Sequence, residues 1–387
     1  MHSIGSRTVL EAWMNINRTP KWGSGMTRAR GLCRRAMLAS EFGLLGAAAL
    51  ATAAAAPPPH YALIKEIRLA GDSGWDYLSI DATARRLYVA HGDHVDVLDI
   101  DHNTVVGSIA GTPGVHGFAI AHDLGRGYAS DGQDSQASIV DLNSLATITR
   151  VGTAAGPDAI VYESSRKEVY TFNGRDHSTT VFDAQSGDVV ATIALPGKPE
   201  FAAADPAAGR VYDNIEDRNL IVVIDVHSHT IAEQWPIAPG ESATGMGIDT
   251  AHHRLFIGCR NQRMLMLDAG NGRVIAMVPI GKGVDANVFD PGTQLAFSSN
   301  GEGTLTIAHE DTPERLSVVQ TLQTQTGART MALDPSSHNI YLATADLVPP
   351  PPAPPAPNAA AGEPPHSRPA IVPGSFRILV YGPEPTH

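Results

Sequence analysis

The sequence predicts an all-β fold, a seven-bladed β-propeller of four-stranded antiparallel blades closed by an N-terminal strand in the last blade. Two periodic anchors and a turn-rich composition support this reading. Aromatic residues inside β-runs recur at Tyr88, Tyr128, Tyr170, Tyr212, Phe256, Phe297 and Tyr341, spaced 40 to 44 residues apart. An aspartate closing the third run of a unit recurs at Asp99, Asp141, Asp183, Asp225 and Asp268, spaced 42 or 43 residues apart. With 43% hydrophobic residues, 37 Gly and 28 Pro, the chain turns often, as many short strands require. A ring is the closure that removes the edges of seven such sheets.

Each unit reads in the same order. In "PEFAAADPAAGRVYDNIEDRNLIVVIDVHSHTIAEQWPI" an extended run reaches Asp205, "DPAAGR" turns, "VYDN" is the second strand, "LIVVID" the third and "TIAEQWPI" the fourth. An acid stands seven residues before the aromatic in six units (Asp81, Glu163, Asp205, Asp249, Asp290 and Asp334), with Ala121 the exception. Short acceptors suit turns because their side chains bind backbone N–H groups two residues on, so these acids are read as structural. "YALIKEIRL", residues 61–69, is the expected outer strand of the last blade, whose third run is "SFRILVYG".

Two segments break the pattern. Residues 1–56 carry seven Lys/Arg against two Asp/Glu and end in "FGLLGAAALATAAAA", the order of an export signal. Cleavage is expected near Ala53 to Ala56, translation could start at Met26, and "CRRAMLA" loosely resembles a twin-arginine signal. The apolar run is short and interrupted by Glu41, so no integral membrane segment is expected after cleavage. The remaining domain, 57–387, is then periplasmic or secreted. Loss of the segment takes the formal charge from −12 to −17 and leaves Cys259 as the single cysteine. Such an acidic body disfavours nucleic acid, and no internal disulfide can form. The second segment, 347–374 ("LVPPPPAPPAPNAAAGEPPHSRPAIVPG"), inserts into the last blade; its Pro/Ala density predicts a solvated tether.

The repeats "YVAHGDHVDVLD", "YASDGQDSQASIVD", "YTFNGRDHSTTVFD", "VYDNIEDRNLIVVID" and "LFIGCRNQRMLMLD" resemble the YVTN repeat, and the chain from Tyr61 to Gly382 is similar to YncE-like bacterial propeller proteins. The resemblance implies an exported seven-bladed ring and supplies no catalytic set. The sixth unit departs from it, reading "LTIAHED" where the aspartate is expected.

Twelve residues before the aromatics stand Asp76, His116, Asp158, Glu200, Thr244, Asp285 and Arg329, equivalent positions where the inner strands begin. Behind them, where the second strands return, come His91, Asp131, Asn173, Asn214, Cys259 and Asn300. Carboxylates converging on an axis repel unless a cation, a cationic ligand or raised pKa values relieve them. The expected ligand-binding set is therefore Asp76, His116, Asp158, Glu200, Asp285, Arg329, His91, Asp131, Asn173 and Asn300. Asp158, Glu200, Asp285 and Asn173 are the metal candidates. Oxygen donors suit Ca²⁺ or Mg²⁺, and His116 would admit Zn²⁺, Mn²⁺ or iron. His227, His229, His252 and His253 fall in connecting turns and are expected to be solvated.

No Gly-x-Ser-x-Gly elbow, phosphate loop or Cys-x-x-Cys-His motif occurs. The first functional expectation is a binding or scaffold protein whose acidic channel mouth takes a small ligand, a metal or a protein partner. The second is a divalent-metal-dependent hydrolase of the gluconolactonase or regucalcin type, with His116 or Asp76 as the catalytic proton-transfer group.

Overall fold

The structure, a computed structural model, describes residues 57–348 and 370–384; the segment read as an export signal and positions 349–369 of the insertion lie outside the described residues. Seven four-stranded antiparallel sheets follow one another around a ring. The first comprises Trp75–Asp81, Arg86–His91, His94–Asp99 and Thr104–Ala110, from the channel outward. In the seventh, Met331–Asp334, Asn339–Thr344 and Arg377–Pro383 are completed by Tyr61–Arg68, which pairs antiparallel with Arg377–Pro383 from Tyr61↔Pro383 to Arg68↔Arg377. The expected closure is thus observed, and Trp75 of blade 1 stacks on Phe376 of blade 7 with ring centroids 5.5 Å apart.

Burial follows from blades packing face to face. The two middle strands are covered on both sides, so Glu168–Asn173 and Leu295–Asn300 are buried at every position. Fourth strands form the rim and keep mainly one apolar side chain inward, such as Ile109, Val151, Ile193 or Trp235. The periodic aromatics are all buried, and the hydroxyls of two of them tie neighbouring blades together. Tyr128 donates to the Ala184 carbonyl at 2.8 Å, and Tyr212 to the Ala269 carbonyl at 2.9 Å. A buried hydroxyl needs such a partner, which explains a tyrosine rather than a phenylalanine there.

The aspartates that close the third strands serve as turn acceptors. Asp99, Asp141, Asp183 and Asp225 each accept from the backbone N–H groups two and three residues on, at 2.7 to 3.1 Å. These bonds hold all four carboxyls below the usual carboxylate range.

The insertion is less detached than its composition suggests. At its described ends Leu347 bridges Ile371, Val348 N–H donates to the Ala370 carbonyl at 2.7 Å, and both apolar side chains pack on the blade 7 and blade 1 core. The expectation of a solvated tether fails for these ends, because each offers an apolar side chain and an unpaired backbone edge.

Candidate functional site

Every inner strand of blades 1 to 6 shifts register near its first residues, between Trp75 and Leu78, Val115 and Phe118, Pro157 and Ile160, Pro199 and Ala202, Ala243 and Gly245, and Val284 and Ala286. A bulge re-aims the side chain it carries. Here it carries Asp76, His116, Asp158, Glu200 and Asp285, which with Arg329 line one cavity of about 590 Å³. Bonds between blades fix this ring: Ser130 Oγ donates to the Asp158 carbonyl at 2.5 Å, Thr330 Oγ1 to the Asp76 carbonyl at 2.9 Å, and Ser299 Oγ to the Arg329 carbonyl. Thr244, also on the ring, is buried and donates to the Val284 carbonyl at 2.7 Å.

Charge divides the cavity into two sectors. In blades 1 to 3, His116 Nδ1 lies 2.7 Å from Asp76 Oδ2 and 3.6 Å from Asp158 Oδ1. One donor atom from each of these three residues falls within 4.8 Å of the others. Across the cavity Lys198 Nζ donates to Glu200 Oε2 and Glu216 Oε2 at 2.7 Å each, and Arg329 Nε donates to Asp285 Oδ2 at 2.6 Å. Arg260 Nη1 stands 3.1 Å from Glu216 Oε1. Burial pushes Asp158 and Glu200 above the usual carboxylate range, and their mutual repulsion adds to the rise on Glu200. Burial raises Asp285 too, despite Arg329. The relief expected for converging carboxylates is therefore supplied by raised pKa values and by resident cations.

Tyr77 bounds the cavity. Its hydroxyl reaches across the channel toward the Glu200 carbonyl at 3.4 Å, and its ring meets Phe201 edge to face at 5.1 Å. Tyr77 lines this cup-like mouth, and Phe201 braces its ring. A neighbouring apolar crevice of about 410 Å³, walled by Trp75, Leu347 and Ile371, shares Arg329 with it.

The second row of candidates does not reach the cup. His91, Asp131, Asn173, Asn214, Cys259 and Asn300 are each 0% exposed and face neighbouring strands. His91 Nδ1 pairs with Asp96 at 2.9 Å, and Ser138 donates to Asp131 at 2.6 Å. Asn173 donates to Ser178 and Thr180, and Asn300 to Thr304 and Thr306, at 3.1 Å each. Placing His91, Asp131, Asn173 and Asn300 in the ligand set is therefore corrected. These side chains end covered middle strands, and the next residue forms the rim. Of the expected metal set, Asn173 lies away from the cavity and Glu200 and Asp285 pair with Lys198 and Arg329, whereas Asp158 shares a close cluster of donor atoms with Asp76 and His116.

The periodic pattern does not single out Lys198, Arg260 or Tyr77. Arg260 had a signal: its position after the second strand holds Gly92, Gly132, Gly174 and Gly301 in other blades, so a long cation there departs from the repeat. Among the turn histidines, His229 pairs with Glu168 at 2.9 Å, and His252 Nδ1 lies 2.7 Å from Asp249 Oδ2 and 3.7 Å from Glu310 Oε1. His229 is thus a largely buried partner of an acid rather than a solvated turn residue, whereas His252 keeps an exposed edge while it pairs with Asp249.

No family model matches the chain, and no curated protein matches it. Among solved structures it is similar to a chain of Kuenenia stuttgartiensis hydrazine synthase, at 16% identity and a TM-score of 0.62, over 71% of this chain and 94% of that one. At that identity the likeness concerns the propeller fold alone. Among the described residues no helix is long and apolar enough to cross a membrane.

Proposed function

We propose that this protein is an exported, YncE-like binding protein whose channel mouth takes a small anionic ligand together with a divalent cation. The carrying observation is one cup that holds an Asp76, His116 and Asp158 cluster together with Lys198, Arg260 and Arg329, whose pairs with Glu200, Glu216 and Asp285 leave further N–H donors for a ligand. Two carboxylates and an imidazole suit Zn²⁺ or Mn²⁺. Those basic side chains suit a carboxylate or phosphate on the same ligand, and Arg329 offers the planar fork that binds such groups in pairs. The Trp75 crevice beside Arg329 would receive an apolar extension of that ligand. The YVTN-like repeats support the family assignment, and the basic-then-apolar N-terminal segment supports export to the periplasm or beyond.

Elemental analysis of protein purified without chelator tests the cation. One divalent ion per chain at the cup is expected, reduced by one equivalent in His116→Ala with Asp158→Asn; an unchanged stoichiometry overturns the site. A hydrolase reading is favoured by one observation, the placement of His116 between two carboxylates: with the ion held by Asp76 and Asp158 alone, His116 would pass the proton while the ion polarised a lactone. Turnover of sugar lactones that disappears in His116→Ala would select that reading over simple binding.

A further inference from the structure

The sixth blade carries a second cluster, at the opposite end of the strands from the cup. In blades 1 to 5 the residue after the third-strand aspartate is a buried apolar one: Ile100, Leu142, Ala184, Val226 or Ala269. Its N–H donates to the carbonyl at the preceding turn, as Leu142 does to Gly125 at 3.0 Å. Glu310 makes the same bond to Gln294 at 2.9 Å, so it occupies the equivalent position with a carboxylate. A second departure faces it. The turn position three after the inner-strand acid is Ala84, Leu124, Arg166, Ala208, Thr293 or Ser337 in other blades, and in blade 5 it is His252.

These two exceptions to the repeat meet at one junction. Glu310 is 1% exposed and Asp249 3%, and neither Glu310 oxygen has a hydrogen-bond partner among the described residues. His252 Nδ1 and Asp249 Oδ2 approach to 2.7 Å, yet neither makes an aligned hydrogen bond. Asp249 Oδ1 is occupied by the Ala251 N–H at 2.9 Å, which orients Oδ2 toward the cluster. Arg254, the nearby cation, is spent on the Pro313, His252 and His253 carbonyls. Two buried carboxyls with a single partly exposed imidazole between them are an arrangement that a bound cation would relieve.

We infer that Asp249, His252 and Glu310 form a second divalent-cation site that pins blade 5 to blade 6. Their donor atoms lie within 4.8 Å of one another, near enough for modest side-chain shifts to bring all three onto one ion bound at about 2.0 to 2.2 Å. One imidazole and two carboxylates make a neutral site with Zn²⁺ and leave a fourth position open toward the partly exposed His252 edge. The ion would tie two blades at a junction where others use side-chain pairs, such as His122 with Asp81 and His338 with Asp290, beside their apolar contact.

The test uses the full chain carrying His116→Ala and Asp158→Asn, so that failure of this site and failure of the cup are distinguishable. After chelation, Zn²⁺ alone is titrated calorimetrically. One equivalent should bind, and a hundredfold excess over Kd should raise Tm by roughly 5 °C. Adding Glu310→Leu, which restores the apolar residue of other blades, should abolish both effects without lowering the metal-free Tm. His252→Ala, on the exposed turn, gives an independent readout and should weaken binding at least tenfold. Absence of binding in the cup variant, or equal binding after either change, overturns the site and leaves the two carboxyls sharing a proton.

Discussion

His116 Nδ1 lies 2.7 Å from Asp76 Oδ2, although forty positions separate the two residues in the chain. They occupy the same place in adjacent blades, and the bulge at each strand start turns both into the channel. The imidazole also rests against Gly132, where an added Cβ would fall 2.6 Å from His116 Cδ2 and 3.0 Å from the Gly114 carbonyl. Gly132→Ala is therefore expected to displace His116, weakening cation binding at the cup about tenfold or more. Calorimetry with Zn²⁺ or Mn²⁺ checks this, and undiminished affinity would show that His116 is not a ligand.

Stability should depend on pH in two opposite ways. The turn carboxyls Asp99, Asp141, Asp183 and Asp225 are depressed, so their contribution is present above the ordinary carboxylate value of about 4 and is lost as pH falls through their folded values. Burial instead pushes Asp131 up to about 7, and raises Asp158, Glu200, Asp213 and Asp285. The folded state binds those protons more tightly, so their contribution is present at low pH and is lost as pH rises through the folded values. In chelator, Tm should peak near pH 4 to 5 and decline toward pH 8. Asp131→Asn should flatten part of that decline; a Tm constant between pH 5 and 8 would refute the assignment.

The insertion yields a bounded deletion. Joining Val348 to Ala370 through a short Gly-containing turn keeps the Leu347 and Ile371 bridge, so Tm should stay within about 3 °C of the parent, since loop length changes closure entropy slowly. Removing Leu347 to Gly374 as well strips apolar cover from Trp75 and the Asp72 bond to Gly374 N–H at 2.6 Å. That longer deletion should cost more, and differential scanning calorimetry of both separates the packed ends from the rest.

The amino-acid sequence by itself determined the ring. The spacing of Tyr88 through Tyr341 and of Asp99 through Asp268 expresses local needs, a buried strand aromatic and a turn acceptor, repeated with each blade. The inner-ring set from Asp76 to Arg329 was legible for the same reason, because equivalent positions in a closed ring must converge. Tertiary structure alone decided which residues behind that ring are reachable. His91 and Asn173 end strands covered on both faces, so position along the chain could not distinguish them from Lys198 and Arg260 at the rim. It also decided the pairing of charges, joining Arg329 to Asp285 and leaving His116 to Asp76 and Asp158. The meeting of Glu310 with Asp249 and His252 is a contact between blades, set by how two sheets face one another and by no periodicity within either.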